Sequence, residues 1–499
     1  MKKAIVIGSG FGGLAAAVRL RARGYQVKVL ESTEQPGGRA SVFVREGHVF
    51  DAGPTVITAP YLLHELFELL GENSRDYFEL LPVDPFYRIE YPDGSRFDYV
   101  GDDERLLENI RALSPEDVEG YKRLAEQAKE IFEIGYVQLA DQPFHNVLDM
   151  IRIIPQMIRL KNYRSVYGLV STFIKDERLR QAFSFEPLLV GGNPMTITSI
   201  YLLIHWLERK WGVHFAKGGT TAIVHGLKQL LEKKGVEFHF NSRVAEITVA
   251  NERATGVVTT DGRRFDCDVL VSNADPIKVY GMMDEKYRPS HSDRRLSQMK
   301  QSMGLFVLYF GTKKTYPELM HHTIILGPRY EGLLKDIFKH KILSKDFSLY
   351  MHAPTRTDAS LAPAGCETFY VLAPVPNNQS GIDWKVEGPA LEQRIIDFLD
   401  QTHVPGLKEN LTVKFHVTPD YFENTMQTTD GSGFGLEPNL TQSAYFRFHN
   451  QSPDLKNLYF VGASTHPGAG IPGVLSSAKV LEKVLPQEDQ WSLSTPAQI

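Results

Sequence analysis

The stretch from Lys3 to Glu31 leaves this chain few ways to fold. "KAIVIG" is a short apolar run with the character of a buried strand, and Gly8, Gly10 and Gly13 follow as G-x-G-x-x-G. "LAAAVRLRARG" carries a helical pattern to Gly24, and "QVKVLE" is a second strand that closes on Glu31. Strand, glycine turn, helix and strand make a compact crossover unit in which each glycine has a task. Gly8 makes the turn, Gly10 lets bare backbone approach a pyrophosphate, and Gly13 lets the helix pack close. The helix N-terminus then faces the phosphates, and Glu31 accepts from a ribose hydroxyl. A dinucleotide held by Gly8, Gly10, Phe11, Gly12, Gly13 and Glu31 is therefore expected.

A second glycine-rich loop lies near the other end. "THPGAGIPGVLSSAK" (Thr465 to Lys479) follows the apolar strand "NLYFVG" and runs into an Ala/Ser/Leu helical pattern. Taken alone it reads as another place where backbone meets a ligand, even a second phosphate cradle.

Between the loops the texture changes twice. Residues 60–215 show long helical patterns such as "YLLHELFELLG" and "DVEGYKRLAEQAKEIFEIGY". An α/β rhythm returns at "WGVHFAKGGTTAIVHGLKQLLEKKGVEFHFNSRVAEITV", whose last strand carries Val244, and "DGRRFDCDVLVSNADP" ends in a strand over 269–271 that rejoins the first sheet. Residues 300–450 alternate strands with loops. The expected fold class is α/β: a Rossmann-type domain assembled from 1–75, 213–285 and 450–487, with an inserted α+β lobe of mixed sheet and helices at 76–212 and 286–449. Residues 488–499 read as a tail.

Composition removes whole classes of function. A net charge of −5 without a dense Lys/Arg run argues against nucleic acid. Cys267 and Cys366 make neither a disulfide framework nor a metal site. His321–His322 is the one adjacent histidine pair, and neighbouring side chains rarely converge on one ion, so no metal is expected. The apolar run after Lys2–Lys3 breaks at glycine too early for an export signal. "MTITSIYLLIHWL" (Met195 to Leu207) falls short of the roughly 20 apolar residues that a spanning helix needs.

The remaining motifs carry a family resemblance. Gly37-Gly38-Arg39, shortly after the second strand, resembles the extended fingerprint of FAD enzymes of the amine-oxidase type, and "FDAGPTVI" places an acid and a Gly-Pro turn where that family approaches the flavin. With "RQAFSFEPLLVGGNP", "LFVLYFG", "FSLYMHAP", "TQSAYFRFHN" and "HPGAGIPGV", almost the whole chain resembles the bacterial-type phytoene desaturases, closest to the lycopene-forming members. Ser464 stands where glycine is also usual.

The resemblance implies FAD and the conversion of 15-cis-phytoene to all-trans-lycopene by successive dehydrogenations, each passing a hydride to flavin N5. It adds Gly38, Arg39, Val244, Gly462, Gly470, Ile471, Pro472 and Val474 to the cofactor contacts, and makes the second glycine loop a clamp on the isoalloxazine ring. It also makes Asp149, Arg152 and His466 candidates near the substrate, while the residues alone leave open an exposed Asp149–Arg152 pair and a structural histidine. Isomerising, hydrating, oxygenating or saturating relatives, desaturases of the C30 analogue, a flavin-free isoprenoid carrier and an NAD-dependent dehydrogenase are the rival readings.

Phytoene dissolves in lipid, so the enzyme must meet a membrane. "DMIRIIPQMIRLKNYRSVYGLV" (Asp149 to Val170) mixes apolar residues with Arg152, Arg159, Lys161 and Arg164 and suits the interface, within a helical membrane-contacting part over about 110–210. The expected setting is peripheral, on the cytoplasmic side of the cell membrane, as a candidate homo-oligomer that passes electrons to quinone or oxygen.

Overall fold

A computed structural model describes residues 1–144 and 147–486; the tail expected at 488–499 lies outside the described residues. The opening crossover unit forms as its pattern dictates. Strand Lys3–Ile7 leads through Gly8, at φ +89°, into helix Phe11–Ala22, and strand Gln26–Leu30 returns parallel to the first. Every residue of that helix from Phe11 to Leu20 is buried. A helix apolar on all sides needs cover on both, which here comes from the sheet and from the C-terminal helix Ile471–Val484.

The sheet is wholly parallel and draws on distant parts of the chain. Its order is Leu458–Phe460, Val269–Ser272, Lys3–Ile7, Gln26–Leu30, Glu237–His239. Both glycine-rich loops therefore leave the C-terminal ends of strands in one sheet, at the edge where open α/β sheets bind ligands.

A seven-stranded sheet builds the second lobe, in the order Leu411–Val417, Gly304–Thr312, Glu367–Val375, Leu349–His352, His322–Ile325, Tyr87–Glu90, Arg96–Tyr99. Its long central strands are nearly continuous apolar runs because helices and loops cover both faces.

Two elements depart from the sequence reading. The hairpin Tyr87–Glu90/Arg96–Tyr99 interrupts the helical region, turning at Gly94, and adds two strands to the second sheet. Helix Trp384–Gln401 interrupts the strand-and-loop region; its buried positions 384, 388, 391, 395 and 399 keep a helical period, but Gly388 and Pro389 mask it. The apolar segment 195–207 becomes a tight turn, Ser199–Leu202, followed by helix Leu203–Trp211.

Candidate functional site

A cavity of about 820 Å³ runs from the glycine loops into the second lobe. At its first end two helices begin with a glycine and no side-chain cap: Gly10 before Phe11–Ala22 and Gly470 before Ile471–Val484. Neither has an acidic residue in its first turn, so the leading amides and the positive end of each helix dipole are left for a ligand. Buried polar atoms without a hydrogen-bond partner lie at the second loop: both ring nitrogens of His466, which lines the cavity, and behind it Thr465 Oγ1 and Arg447 Nε. Arg447 is held by the carbonyls of Gln442 and Leu436 and of Ala463, and no acid joins it in an ion pair among the described residues. Bare amides at the start of both helices, where they meet the cavity, suit a long anionic dinucleotide.

Asn273, in the small-residue turn after strand Val269–Ser272, locks the loops together. A β-carbon on Gly10 would stand 2.9 Å from its Nδ2, and one on Gly462 2.7 Å from its Oδ1; Gly12 is pressed against the same side chain. Sequence reasoning passed this residue over, although "SNADP" marks its turn.

Of the expected contacts, Gly8, Gly10, Phe11, Gly12, Glu31, Gly38, Arg39, Val244, Gly470, Ile471, Pro472 and Val474 line the cavity. Gly13 and Gly462 stand just behind it. A β-carbon on Gly13 would collide with the Gly8 carbonyl, and Gly462, at φ +104°, gives its amide to Ser477 Oγ at 2.9 Å. Glu31 is buried, and its carboxylate accepts from Ser9 N at 2.8 Å and Thr33 N at 3.0 Å, which aims it at the cavity edge. Burial pulls the Arg39 guanidinium pKa down, while the charge of Asp275 supports it.

The far end of the cavity is apolar. Leu188, Leu189, Ile200, Leu203, Leu305, Leu326 and Phe434 are among its walls, two of them, Ile200 and Leu203, from the apolar segment 195–207. One acid interrupts them. Glu208, on helix Leu203–Trp211, accepts from Tyr87 Oη at 2.7 Å, while its other oxygen has no partner. Glu186 lies behind it, 3.3 Å from His205 Nδ1. Desolvation raises both carboxyls well above the ordinary range, and the charge of Glu186 pushes Glu208 further. Burial drives His205 down to about 3, so it stays neutral beside them. Neither acid stood out in sequence, because "FSFEPLL" and "HWLERK" give no sign that the chain brings them together.

His466 lines the cavity with its ring edge-to-face on Phe144, centroids 5.0 Å apart, and burial lowers its pKa to about 4. Arg152 lies exposed on helix Val147–Arg159 and is not among the cavity-lining residues. The side chain of Asp149 lies outside the described residues.

That helix has two apolar faces. Met150, Ile153 and Met157 line the cavity. Leu148 (57% exposed), Ile151 (52%), Ile154 (43%) and Ile158 (61%) face outward. The helix touches the turn Ala444–Phe446, where Phe446 is exposed, and the nearby Leu440 both lines the cavity and reaches the surface. An opening bordered by greasy side chains results. Among the described residues no helix is long and apolar enough to cross a membrane.

His321 and His322 do converge, contrary to the expectation for neighbours, with rings 4.4 Å apart. His321 precedes strand His322–Ile325 and so escapes its alternation of sides.

Comparison with known proteins places these features in a family. The model for flavin-containing amine oxidoreductases matches residues 11–480. A lycopene-forming phytoene desaturase of Pseudescherichia vulneris is 49% identical over 493 residues, covering 98% of this chain and 100% of that protein. A neurosporene-forming phytoene desaturase of Rhodobacter capsulatus is 41% identical, covering 100% of this chain and 96% of its own. Among solved structures, an oxidoreductase of Methanosarcina mazei superposes with a TM-score of 0.65 at 17% identity, over 96% of this chain and 100% of its own.

Proposed function

Because the chain belongs to the flavin-containing amine oxidoreductases, and within them to the phytoene desaturases, we propose that it is an FAD-dependent enzyme of carotenoid biosynthesis that desaturates phytoene to lycopene. The observation that carries this reading is the single cavity joining two uncapped helix N-termini to an apolar channel that opens beside an exposed apolar helix.

Desaturation takes a hydride from one carbon and a proton from its neighbour, leaving a C=C bond. FAD, when bound, supplies the hydride acceptor, which no side chain can be. Gly8, Gly10, Phe11, Gly12 and Glu31 would hold its adenosine and pyrophosphate part, and Arg39 with the Gly470–Val474 turn its ring end. The chain's own work is to align the polyene, exclude water and take the proton. The Leu and Ile walls do the first two. Glu208 is placed for the third: Tyr87 holds one carboxyl oxygen, and the free oxygen accepts the proton. The Glu186/Glu208 pair binds a proton more tightly than a surface acid, so its ionised member is the stronger base. His466, neutral in its buried place, lines the cavity at the second glycine loop, and Arg152 lies on the outer helix.

We assign residues 1–75, 213–285 and 450–487 to the cofactor lobe and 76–212 with 286–449 to the substrate lobe; the membership of the two large sheets supports this division.

A C40 hydrocarbon gains on the order of 30 kcal/mol on leaving water, at about 0.8 kcal/mol per carbon, and gains as much in a bilayer. Moving it from lipid into the channel is nearly neutral, so the opening has to sit on the membrane. Helix Val147–Arg159 is read as the docking element, its outer face in the acyl boundary and Arg152 and Arg159 at the headgroups. The enzyme is read as peripheral, on the cytoplasmic side, with quinone or oxygen as final acceptor.

The test is a product chromatogram. Purified protein with FAD and phytoene-loaded liposomes, run in parallel with quinone and with oxygen, is expected to form lycopene through intermediates of increasing unsaturation. Flavin-bound protein that leaves phytoene unchanged under both conditions would refute the reading.

A further inference from the structure

Three buried histidines meet outside the chemistry described so far. His322, at the start of strand His322–Ile325, faces His352 directly across the antiparallel ladder, and His321 closes on both from the preceding residue. Ring centroids are 4.4 Å apart for His321 and His322, 4.7 Å for His321 and His352, and 5.2 Å for His322 and His352. One ring nitrogen from each lies within 4.8 Å of the others.

The hydrogen bonds around the cluster are arranged as in a ligand set. Thr357 Oγ1 holds His321 Nδ1 at 2.5 Å, and Tyr350 Oη holds His322 Nδ1 at 2.7 Å. With the Nδ1–H of each ring donated to its hydroxyl, the other nitrogen is left to ligate, as with outer-shell partners in metal sites. The Nε2 atoms of His321 and His322 and both ring nitrogens of His352 have no hydrogen-bond partner. These side chains are buried, with no water-facing surface to compensate them. Phe215 packs on His321 at 4.7 Å and on His352 at 5.6 Å, closing one side.

We propose that His321, His322 and His352 form a binding site for one divalent transition cation of the zinc class. Three neutral nitrogens and no carboxylate favour an ion that imidazole suits, such as zinc, nickel or cobalt, over magnesium or calcium. Small side-chain rotations would draw the nitrogens in to about 2.0–2.1 Å from the ion. The site bears on the cavity through Tyr350, which lines it and whose hydroxyl is 2.6 Å from Thr55 Oγ1, also on the cavity wall; His322 packs in addition on Tyr87, ring centroids 5.8 Å apart. A bound cation would thereby fix strand Leu349–His352 against the Gly53–Thr55 turn. The proposal does not rest on the desaturase reading and stands or falls separately from it.

The experiment is metal analysis of the full-length, untagged protein with its flavin, grown in zinc- or cobalt-supplemented medium and dialysed. About one equivalent of divalent transition metal per chain is expected. His352→Ala should lose it to under about a tenth of an equivalent while flavin absorbance is retained, and the exposed His225→Ala should keep it. Metal-poor wild-type protein, or His352→Ala with wild-type metal content, overturns the proposal. If His352→Ala does not fold, X-ray absorption on the wild type decides: three nitrogens at about 2.0–2.1 Å support the site, and any other shell, or no metal, rejects it.

Discussion

The hydroxyl of Tyr87 donates to Glu208 Oε1 at 2.7 Å, where, among the described residues, an acid enters the largely apolar channel wall. Tyr87 comes from the hairpin of the second lobe and Glu208 from the helix beside it, so the contact forms only when the two elements dock.

If Glu208 takes the proton, Glu208→Gln should slow desaturation by about 10²–10⁴-fold while leaving flavin content unchanged. The ionised form is the base and burial raises the pKa of the pair, so wild-type rate should climb with pH through a midpoint above the ordinary carboxylate range. The Tyr87 hydrogen bond favours ionised Glu208, so Tyr87→Phe should move that midpoint to higher pH. Single-turnover rates across pH check both; a Glu208→Gln rate within about threefold of wild type would remove Glu208 from the chemistry.

Asp51 supplies a stability prediction. Desolvation raises its pKa to about 7 although Thr220 N donates to it at 2.8 Å. The native state therefore keeps a proton that the unfolded chain has already released. Its contribution is intact below the ordinary carboxylate pKa of about 4, is lost as pH rises to about 7, and totals about 4 kcal/mol at most. Asp51→Asn can still accept from Thr220 and should lack this decline. Denaturant titrations at acid and neutral pH measure it, and parallel pH dependence in variant and wild type would contradict it.

Gly470 caps the C-terminal helix at φ +86° and ψ 152°, a conformation open essentially to glycine alone. A β-carbon there would also meet Val190 at 3.2 Å. Gly470→Ala should cost about 1–3 kcal/mol and weaken FAD binding, seen as lower flavin occupancy after gel filtration. Wild-type occupancy would show that the turn does not contact the cofactor.

The outer face of helix Val147–Arg159 can be tested without touching the channel. Replacing Ile151, Ile154 and Ile158 by Ser changes exposed positions, so thermal stability should hold within about 1 kcal/mol while liposome co-sedimentation falls at least about tenfold. Unchanged sedimentation would place the docking face elsewhere.

How much of this was legible in sequence follows the range of each interaction. The crossover unit and the second glycine loop were readable because turn, helix start and strand pattern are local. Asn273 was not, since its role exists only once the sheet brings the turn at 273 against Gly12 and Gly462. Glu186 and Glu208 were hidden for the same reason, and the histidine cluster depends on strand register that pairs His322 with His352. The missed helix over Trp384–Gln401 differs: its apolar period is local, but Gly388 and Pro389 resemble loop signals.

The central claim is that hydrogen removed from phytoene passes to flavin held between the two glycine loops. Anaerobic mixing of FAD-loaded protein with phytoene liposomes, without quinone, measures this directly. The account predicts bleaching of the visible flavin band in step with product, one flavin reduced for each C=C bond formed. New double bonds appearing while the flavin stays oxidised, or a fully loaded enzyme that neither bleaches nor changes phytoene, would contradict it.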